Sequence, residues 1–343
     1  MTSENPKTTI SNLDGATSSM EVRGFNLNEL TQSGGFEELA YLLIQGERPG
    51  EKEKKAFGEA LLRGLELETQ TRFAVHAFQK ERPPLVGLRS FVSRLGSLEL
   101  LPQEALWAGA QILAGMAACL AGFVRLSQGQ PLLSPKDSPQ QDGGFVARFF
   151  FLSFGRPPKQ PEERALDRAL SVHAEGGLDL TTSVVRSAAS AETDLVSALS
   201  AGLAIWNSPI QGEVSARVSQ ALGEIGTPAK AQAWLEKELG SHHRIPGFGH
   251  WVFQKEDPRA RILAEELRNL SRFRNSGSEL AILQELIPLV EKELHLAPNV
   301  QLYTGPLFSA LGFPSPFFSS LSACGRTPGW IAHYREQRPQ ALA

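Results

Sequence analysis

Cysteine is scarce in this sequence, which contains only Cys119 and Cys324 among 343 residues. Two isolated cysteines form neither a disulfide framework nor a metal cluster, and they are typical of a reducing cytoplasm. The adjacent histidines His242 and His243 have no metal-ligand spacing beside them, so we interpret them as a solvated loop pair. We therefore expect a cytoplasmic protein without a metal site.

The sequence also lacks an excess of positive charge. It has 34 Lys and Arg against 37 Asp and Glu, which gives a formal net charge of -3. Such a balance provides no broad attraction to nucleic acid or to an anionic membrane surface, and we expect neither as a partner. The first fourteen residues are polar and contain no apolar segment, so the pattern predicts no secretory signal.

Long apolar runs are absent with one exception, residues 107–124 (WAGAQILAGMAACLAGFV). This run lies at the lower length limit for crossing a bilayer. Its many alanines and glycines favour close helix packing, and we predict a helix that is buried in the core of a folded domain.

Alternating strand patterns are missing as well, whereas apolar residues recur at helical spacing in many places. We predict helices over residues 36–45, 53–65, 166–173, 188–205, 216–223 and 262–270. Breakers and polar residues predict loops over residues 131–144 and 241–249. The fold class that follows is all-α.

The loop at residues 243–263 (HRIPGFGHWVFQKEDPRARIL) is the strongest candidate for chemistry. A turn that contains glycine can bring its backbone close to a ligand, and here it is followed directly by His250. Asp257 and Pro258 have the pattern of a helix start, with Arg259 in the first turn. A histidine and an arginine beside such a turn indicate a site for an anion or a carbonyl group.

At this loop the sequence resembles the citrate synthase family, whose members carry PG(F/Y)GH followed by DPR. Further similar segments follow in the family's order along roughly residues 10–335. They are residues 13–15 (LDG), 23–25 (RGF), 35–49, 165–175, 207–212 (NSPIQG), 298–305 (PNVQLYTG) and 323–333 (ACGRTPGWIAH).

The resemblance implies an all-α fold in which a large and a small helical domain are hinged over a cleft. The large domain would comprise residues 1–213 and 312–343, and the small domain residues 214–311. It implies a dimer of like chains or a mixed dimer with another citrate synthase chain. It also implies a Claisen-type condensation of acetyl-CoA or another acyl-CoA with a 2-oxo dicarboxylic acid such as oxaloacetate, with no cofactor.

The family's site residues can be carried over where the motifs match. His250 matches the histidine that polarises the ketone of the oxo acid. Arg259 and Arg326 match arginines that bind its carboxylates, because a guanidinium pairs with a carboxylate through two hydrogen bonds. Arg338 is the candidate for the family's last carboxylate-binding arginine. The resemblance further assigns CoA binding to the turn of Pro246, Gly247, Phe248 and Gly249 and to Asn299.

Three positions depart from the family pattern. Gln301 replaces the aspartate that removes the proton from acetyl-CoA, and an amide has no useful basicity near neutral pH. Gln211 replaces the histidine that stabilises the enol, although its NH₂ group can still donate a hydrogen bond. Gly176 replaces a histidine that binds the oxo acid, and we expect it to leave an open space.

Two kinds of function remain open at this point. The first is an enzyme with altered chemistry, such as a decarboxylative condensation or the cleavage of a CoA thioester. The retained His250, Arg259 and Arg326 favour it, because they would have little use without an anionic substrate. The second is a non-catalytic member, a regulatory or partner subunit that binds CoA or a dicarboxylate.

Overall fold

The computed structural model describes residues 8–66, 74–77, 83–96, 105–139 and 143–338. Within them helices dominate, and the prediction of an all-α fold is confirmed. The helices, numbered in chain order, are α1 (Leu27–Ser33), α2 (Gly35–Gln45), α3 (Glu51–Leu65), α4 (Pro84–Gly96), α5 (Ala105–Ser127), α6 (Phe145–Phe154), α7 (Gln160–His173), α8 (Leu180–Ser190), α9 (Leu195–Trp206), α10 (Val214–Ile225), α11 (Ala231–Gly240), α12 (Pro258–Arg274), α13 (Ser278–Leu294), α14 (Val300–Leu311) and α15 (Phe318–Gln337).

A small antiparallel sheet near the start of the chain was not predicted. Its strands are β1 (Ser11–Asp14), β2 (Ser19–Val22) and β3 (Phe25–Asn26), in the order β1-β2-β3. The Asp14 side chain accepts hydrogen bonds from the N–H groups of Ala16 and Thr17 and so stabilises the turn between β1 and β2. Strands of two to four residues are too short to show a clear alternation.

The apolar run at residues 107–124 forms part of α5, as predicted. Residues Leu106–Ser127 of this helix are long and apolar enough to cross a membrane, yet 89% of the apolar window is buried inside the molecule. Small residues allow its neighbours to approach closely. A Cβ on Gly109 would lie 2.9 Å from the Ile331 side chain of α15, which shows how tightly the two helices pack.

The prediction of one continuous helix over residues 188–205 is wrong. The chain forms two helices there, α8 and α9, separated at residues 191–194. Glu192 has a φ of 59°, and Asp194 then caps α9 by accepting a hydrogen bond from the Ser197 N–H. The sequence concealed this break because a glutamate occupies the left-handed position where glycine is usual.

The parts of the chain that carry the predicted site residues are brought together by helix packing. Helix α12 packs against α14 and α7, and α15 packs against α7, α8 and α9. The loop between α7 and α8 therefore lies beside the starts of α12 and α14. The division into a large and a small domain stays a prediction.

Candidate active site

A cleft of about 470 Å³ lies among the ends of these helices. Its walls combine two arginines, two histidines, three amides, one carboxylate and several apolar side chains. They are His173, Gly176, Leu178, Asp179, Leu180, Trp206, Ile210, Gln211, Val214, His250, Trp251, Arg259, Asn299, Val300, Gln301 and Arg326. Predicted residues that lie far apart in the sequence therefore share one cavity.

The turn before His250 is held firmly by the loop that leads into α14. Gly247 and Gly249 have φ angles of 86° and 74°, which only glycine adopts without strain. The Gly247 carbonyl accepts a hydrogen bond from the Asn299 N–H at 2.9 Å, and the Gly249 carbonyl accepts one from Asn299 Nδ2 at 2.7 Å. Asn299 thus positions the turn, while its Oδ1 caps α14 through the Gln301 N–H.

His250 is held as a neutral imidazole with its proton on Nε2. Its Nδ1 lies 3.1 Å from the Val252 N–H and 3.2 Å from the Phe253 N–H, and both groups can only donate. Burial and the neighbouring charge of Arg259 lower the pKa of His250 to about 4. The ring is therefore uncharged near neutral pH and presents an Nε2–H donor to the cleft.

Arg259 approaches the same point with a second donor. Its Nε and Nη2 donate to the two oxygens of the buried Asp257 carboxylate at 2.9 Å each. The same Nη2 lies 3.1 Å from His250 Nε2. In the Nε2–H tautomer of His250 both nitrogens are donors, so an acceptor oxygen within reach of both would receive two hydrogen bonds.

The two glutamines lie in the cleft on different elements. Gln211 belongs to the turn after α9, where its N–H donates to the Ser208 carbonyl at 3.2 Å. Gln301 is the second residue of α14. Neither amide titrates near neutral pH, so neither side chain can remove a proton from carbon.

The expectation that Gly176 leaves an open space is wrong. The guanidinium of Arg326 occupies that space, and a Cβ at position 176 would collide with Arg326 Nη1. Arg326 Nη2 donates to Asp179 Oδ2 at 2.9 Å, to Thr182 Oγ1 at 3.2 Å and to the Gly177 carbonyl at 3.3 Å. The glycine thus makes room for a buried arginine that forms an ion pair.

Arg338, the remaining predicted carboxylate ligand, is not among the residues that line this cleft. It is exposed at the end of α15, and its guanidinium lies 5.8 Å from the centre of the Tyr334 ring. In the described chain it therefore contacts its own helix and not the candidate site.

Sequence reasoning did not place Asp179, Trp251 or His173 in the candidate site, although all three line the cleft. His173 is buried, and its Nε2 lies 3.0 Å from Thr304 Oγ1, which itself donates to the Val300 carbonyl. Burial, with the charges of Arg259 and Arg326, lowers the pKa of His173 to about 3. The signals were present, since Asp179 begins a helix and Trp251 directly follows His250, but only the fold brings them together.

The remaining histidine and cysteine predictions fall outside the cleft. His242 and His243 are exposed, and His243 Nδ1 lies 2.8 Å from Glu238 Oε2. No cluster of three metal-ligating side chains occurs in the residues described here. Burial raises the pKa of the Cys324 thiol to about 12, so this cysteine behaves as a small core residue.

The chain matches known proteins over nearly its whole length. Residues 4–342 match the family described as "Citrate synthase, C-terminal domain". The chain is 30% identical to citrate synthase from Saccharolobus solfataricus (98% of this chain, 92% of the relative) and 31% identical to citrate synthase 1 from Mycobacterium tuberculosis (97% and 81%). It is 26% identical to 2-methylcitrate synthase 2 from Corynebacterium glutamicum (96% and 88%).

Solved structures show the same relationship. Citrate synthase from Thermotoga maritima superposes with a TM-score of 0.86 at 28% identity, covering 97% of this chain and 89% of that one. A citrate synthase from Thermoplasma acidophilum, in complex with carboxymethyl coenzyme A and oxaloacetate, gives a TM-score of 0.90 at 24% identity, with 99% and 94% coverage. The fold and the cleft define a citrate-synthase-like protein. The chain belongs to the citrate synthase family.

Proposed function

We propose that this protein binds an acyl-CoA and a 2-oxo acid in the cleft and joins them without a carboxylate base at position 301. The observation that carries the proposal is the convergence of His250 Nε2–H and Arg259 Nη2, 3.1 Å apart. The ketone oxygen of an oxo acid is an acceptor that suits such a pair, and the bonds strengthen as charge develops on it. Arg326 supplies a second positive group in the same cavity.

The acyl-CoA is the partner that the turn of residues 246–249 and Asn299 would hold. A second cavity of about 560 Å³ lies beside that turn and includes Lys255, His295 and Tyr303. Leu296 of its wall lies within 3.3 Å of a Cβ built on Gly249, so turn and cavity are adjacent. We propose that a CoA thioester extends from this cavity towards Gln211 and Gln301.

The cleft does not provide an obvious replacement for the missing base. Among its lining residues within the described chain, Asp179 is the one carboxylate. Its Oδ1 accepts from the Thr182 N–H at 2.8 Å and its Oδ2 from Arg326 at 2.9 Å. A carboxylate that is paired at both oxygens is a poor acceptor for a carbon-bound proton.

A decarboxylative condensation removes the need for a base. An acyl-CoA with a carboxylate on its α-carbon loses CO₂, and the electrons of the broken C–C bond form the enolate. Gln211 would donate to the enolate oxygen. The enolate carbon then bonds to the ketone carbon, and the ketone oxygen, held by His250 and Arg259, becomes a hydroxyl by taking a proton from water. Hydrolysis of the product's CoA thioester by water then releases free CoA and the free acid. Hydrolysis of the starting thioester by water is the related outcome if no oxo acid is bound.

A non-catalytic role is the second candidate, and the two glutamines favour it. A chain that binds both ligands and lacks acid–base groups could serve as the partner subunit of an active citrate synthase, in a mixed dimer. A homodimer in the cytoplasm is the assembly we propose for the enzymatic alternative.

The test measures free CoA released from acetyl-CoA and from malonyl-CoA, with and without oxaloacetate or pyruvate. We would compare the wild type with Gln301→Asp/Gln211→His and, as a control, Gln220→Asp on the exposed face of α10. General-base catalysis typically contributes ~10²–10⁴-fold, so the double variant should release CoA from acetyl-CoA at least ~100-fold faster.

If the wild type releases CoA from malonyl-CoA but not from acetyl-CoA, and only when an oxo acid is present, the decarboxylative reaction is supported. If the wild type releases no CoA and the double variant does, the non-catalytic role is supported. If the wild type releases CoA from acetyl-CoA as fast as the double variant does, the proposal that the missing base limits the chemistry is wrong.

A further inference from the structure

The arginines of the cleft are paired with carboxylates of the chain, whereas a ligand with two negative charges would need unpaired cations. Arg326 is only 3% exposed, and its one hydrogen-bonded carboxylate partner is Asp179. Arg259 is 6% exposed and is paired with Asp257 at both Nε and Nη2. Both arginines of the cavity are therefore paired with a carboxylate of the chain. The Asp257 pair lies within the DPR segment that resembles the family, so Asp179 is the partner that bears on selectivity.

Neither partner of the Arg326 pair is free to leave. The guanidinium lies in the space that Gly176 provides, with Nη2 fixed by three acceptors. Asp179 is fixed in turn because it is the N-cap of α8. Its charge thus remains beside Arg326 when a ligand enters.

The histidines of the cleft do not restore a positive charge. The pKa of His250 is about 4 and that of His173 is about 3, both lowered by burial. Behind Gly176 lies the buried carboxylate of Glu175, which accepts hydrogen bonds from the Gly177 N–H and from Ser11 and lies 3.2 Å from His333 Nε2, so it provides no cation for a ligand either. A second carboxylate on the ligand would lose its water without gaining an unpaired cation.

Arg326 nevertheless retains capacity for one anionic group. Its Nε is buried without a hydrogen-bond partner. Its Nη1 faces position 176 in the wall of the cleft. An unpartnered buried donor normally indicates a ligand or water, so one carboxylate can bind here beside the donors of Arg259 and His250.

The mouth of the cleft is apolar. Six large hydrophobic side chains are exposed in the described part of the chain, and three of them line this cavity. They are Leu180 at 50%, Ile210 at 67% and Trp251 at 63% exposure. Their clustering at one cavity favours an apolar group of a ligand over a charged one.

We propose that the 2-oxo acid of this protein is a monocarboxylate with an apolar side arm, and that Asp179 selects against a second carboxylate. The inference rests on the function proposed above, because it assumes that the cleft binds an oxo acid. The single carboxylate pairs with the cleft arginines, the ketone oxygen accepts from His250 and Arg259, and the arm contacts Leu180, Ile210 and Trp251. Asp179 acts as a specificity residue through its charge.

Calorimetric titration with 2-oxo-4-methylpentanoate and with oxaloacetate, each in the presence of coenzyme A, tests this selectivity. We expect the wild type to bind the monocarboxylate at least 10-fold more tightly. Asp179→Asn keeps the helix cap, since Asn caps as well as Asp, but removes the charge. It should shift the affinity ratio at least 10-fold towards oxaloacetate.

The matched control is Asp194→Asn, which changes the N-cap of α9 in the same way and lies outside the cleft-lining set. It should leave the ratio unchanged. Trp251→Ser should lower the affinity for 2-oxo-4-methylpentanoate several-fold more than the affinity for pyruvate, which lacks the long arm.

A wild type that prefers oxaloacetate, or an Asp179→Asn ratio within about 3-fold of the wild type, overturns the inference. If His250→Ala still abolishes oxaloacetate binding in that case, the proposed function holds and only the inference about selectivity fails. If the wild type binds neither oxo acid, the proposed function and the inference both fail.

Discussion

At the scale of single residues, Gly176 has the clearest physical role in the cleft. Its φ lies outside the left-handed region, so an alanine would meet no backbone strain there. The obstacle is steric, because the added Cβ would collide with the Arg326 guanidinium. A glycine can therefore be required by what lies beside it as well as by its own backbone.

We predict that Gly176→Ala displaces Arg326 from Asp179. Overpacking a buried site typically costs ~1–3 kcal/mol, and the free energy of unfolding should fall by about that amount. Affinity for an oxo acid should fall at least ~10-fold, in keeping with the loss of a charge-assisted hydrogen bond. Urea denaturation and calorimetric titration measure the two effects.

The control for this variant is Gly223→Ala on α10. No atom lies within 4 Å of a Cβ built there. Replacing a glycine inside a helix by alanine should therefore stabilise the protein by roughly 0.5–1 kcal/mol and leave ligand affinity unchanged. If Gly176→Ala behaved like this control, the guanidinium would not be fixed by the glycine.

At the scale of elements, the helices were largely predictable and their interruptions were not. Periodicity predicted α2 and α3, because each presents an apolar face, and the long apolar run predicted the buried α5. The division between α8 and α9 was missed because no glycine or proline marks it. The β1-β2-β3 sheet was missed because its strands, of two to four residues, are too short to show a clear alternation.

The candidate site shows the same limit. The PGFGH segment and the DPR segment could be found from the sequence, since their turn and helix-start signals are local. The pairing of Arg326 with Asp179 joins residues 147 positions apart, and the space at Gly176 depends on where that arginine lies. Such contacts follow from tertiary packing, and no local pattern records them.

The break between α8 and α9 also gives a stability prediction. The Thr193 N–H donates to the Ala188 carbonyl and the Glu192 N–H to the Ala189 carbonyl, which is a left-handed helix ending with Glu192 at the strained position. Glu192→Gly should raise the free energy of unfolding by about 0.5–1 kcal/mol, because left-handed backbone costs a non-glycine residue ~1–2 kcal/mol.

Asn275 offers the comparison, since it ends α12 with a φ of 51°. Asparagine tolerates this conformation, so Asn275→Gly should change stability by only a few tenths of a kcal/mol. Urea denaturation of both variants tests the difference. Equal effects would mean that the strain at Glu192 is relieved by other contacts.

At the scale of the whole molecule, the buried histidines connect the cleft to the pH dependence of folding. Both His173 and His250 have a folded-state pKa well below the ordinary 6.5, at about 3 and about 4. Between those values and pH 6.5 the unfolded chain binds more protons than the folded one. The stability that these two neutral histidines contribute is therefore fully present above about pH 6.5 and is lost as the pH falls through this window.

Asp167 acts in the opposite direction. Burial raises its pKa to about 6, so its charged form is disfavoured in the folded state, and protonation restores stability as the pH falls below 6. The wild-type profile combines these effects with those of carboxyl groups whose pKa is lowered, such as Glu162 and Glu336 at about 2. A variant that removes one histidine isolates its share.

We predict that His173→Asn flattens the acid limb of the stability profile. Asn can still donate to Thr304, so at pH 7.5 we expect a loss of only ~1 kcal/mol from altered packing. One pKa unit corresponds to about 1.4 kcal/mol, so the penalty that His173 imposes on the wild type at pH 4 is on the order of 3 kcal/mol. The variant should therefore match or exceed the wild type in stability at low pH.

Urea denaturation from pH 7.5 to 4 measures the crossover, and His242→Asn in the exposed loop should run parallel to the wild type. Parallel profiles for wild type and His173→Asn would show that His173 does not titrate on unfolding in this range, and the acid sensitivity would then have to arise from groups other than this wall of the cleft.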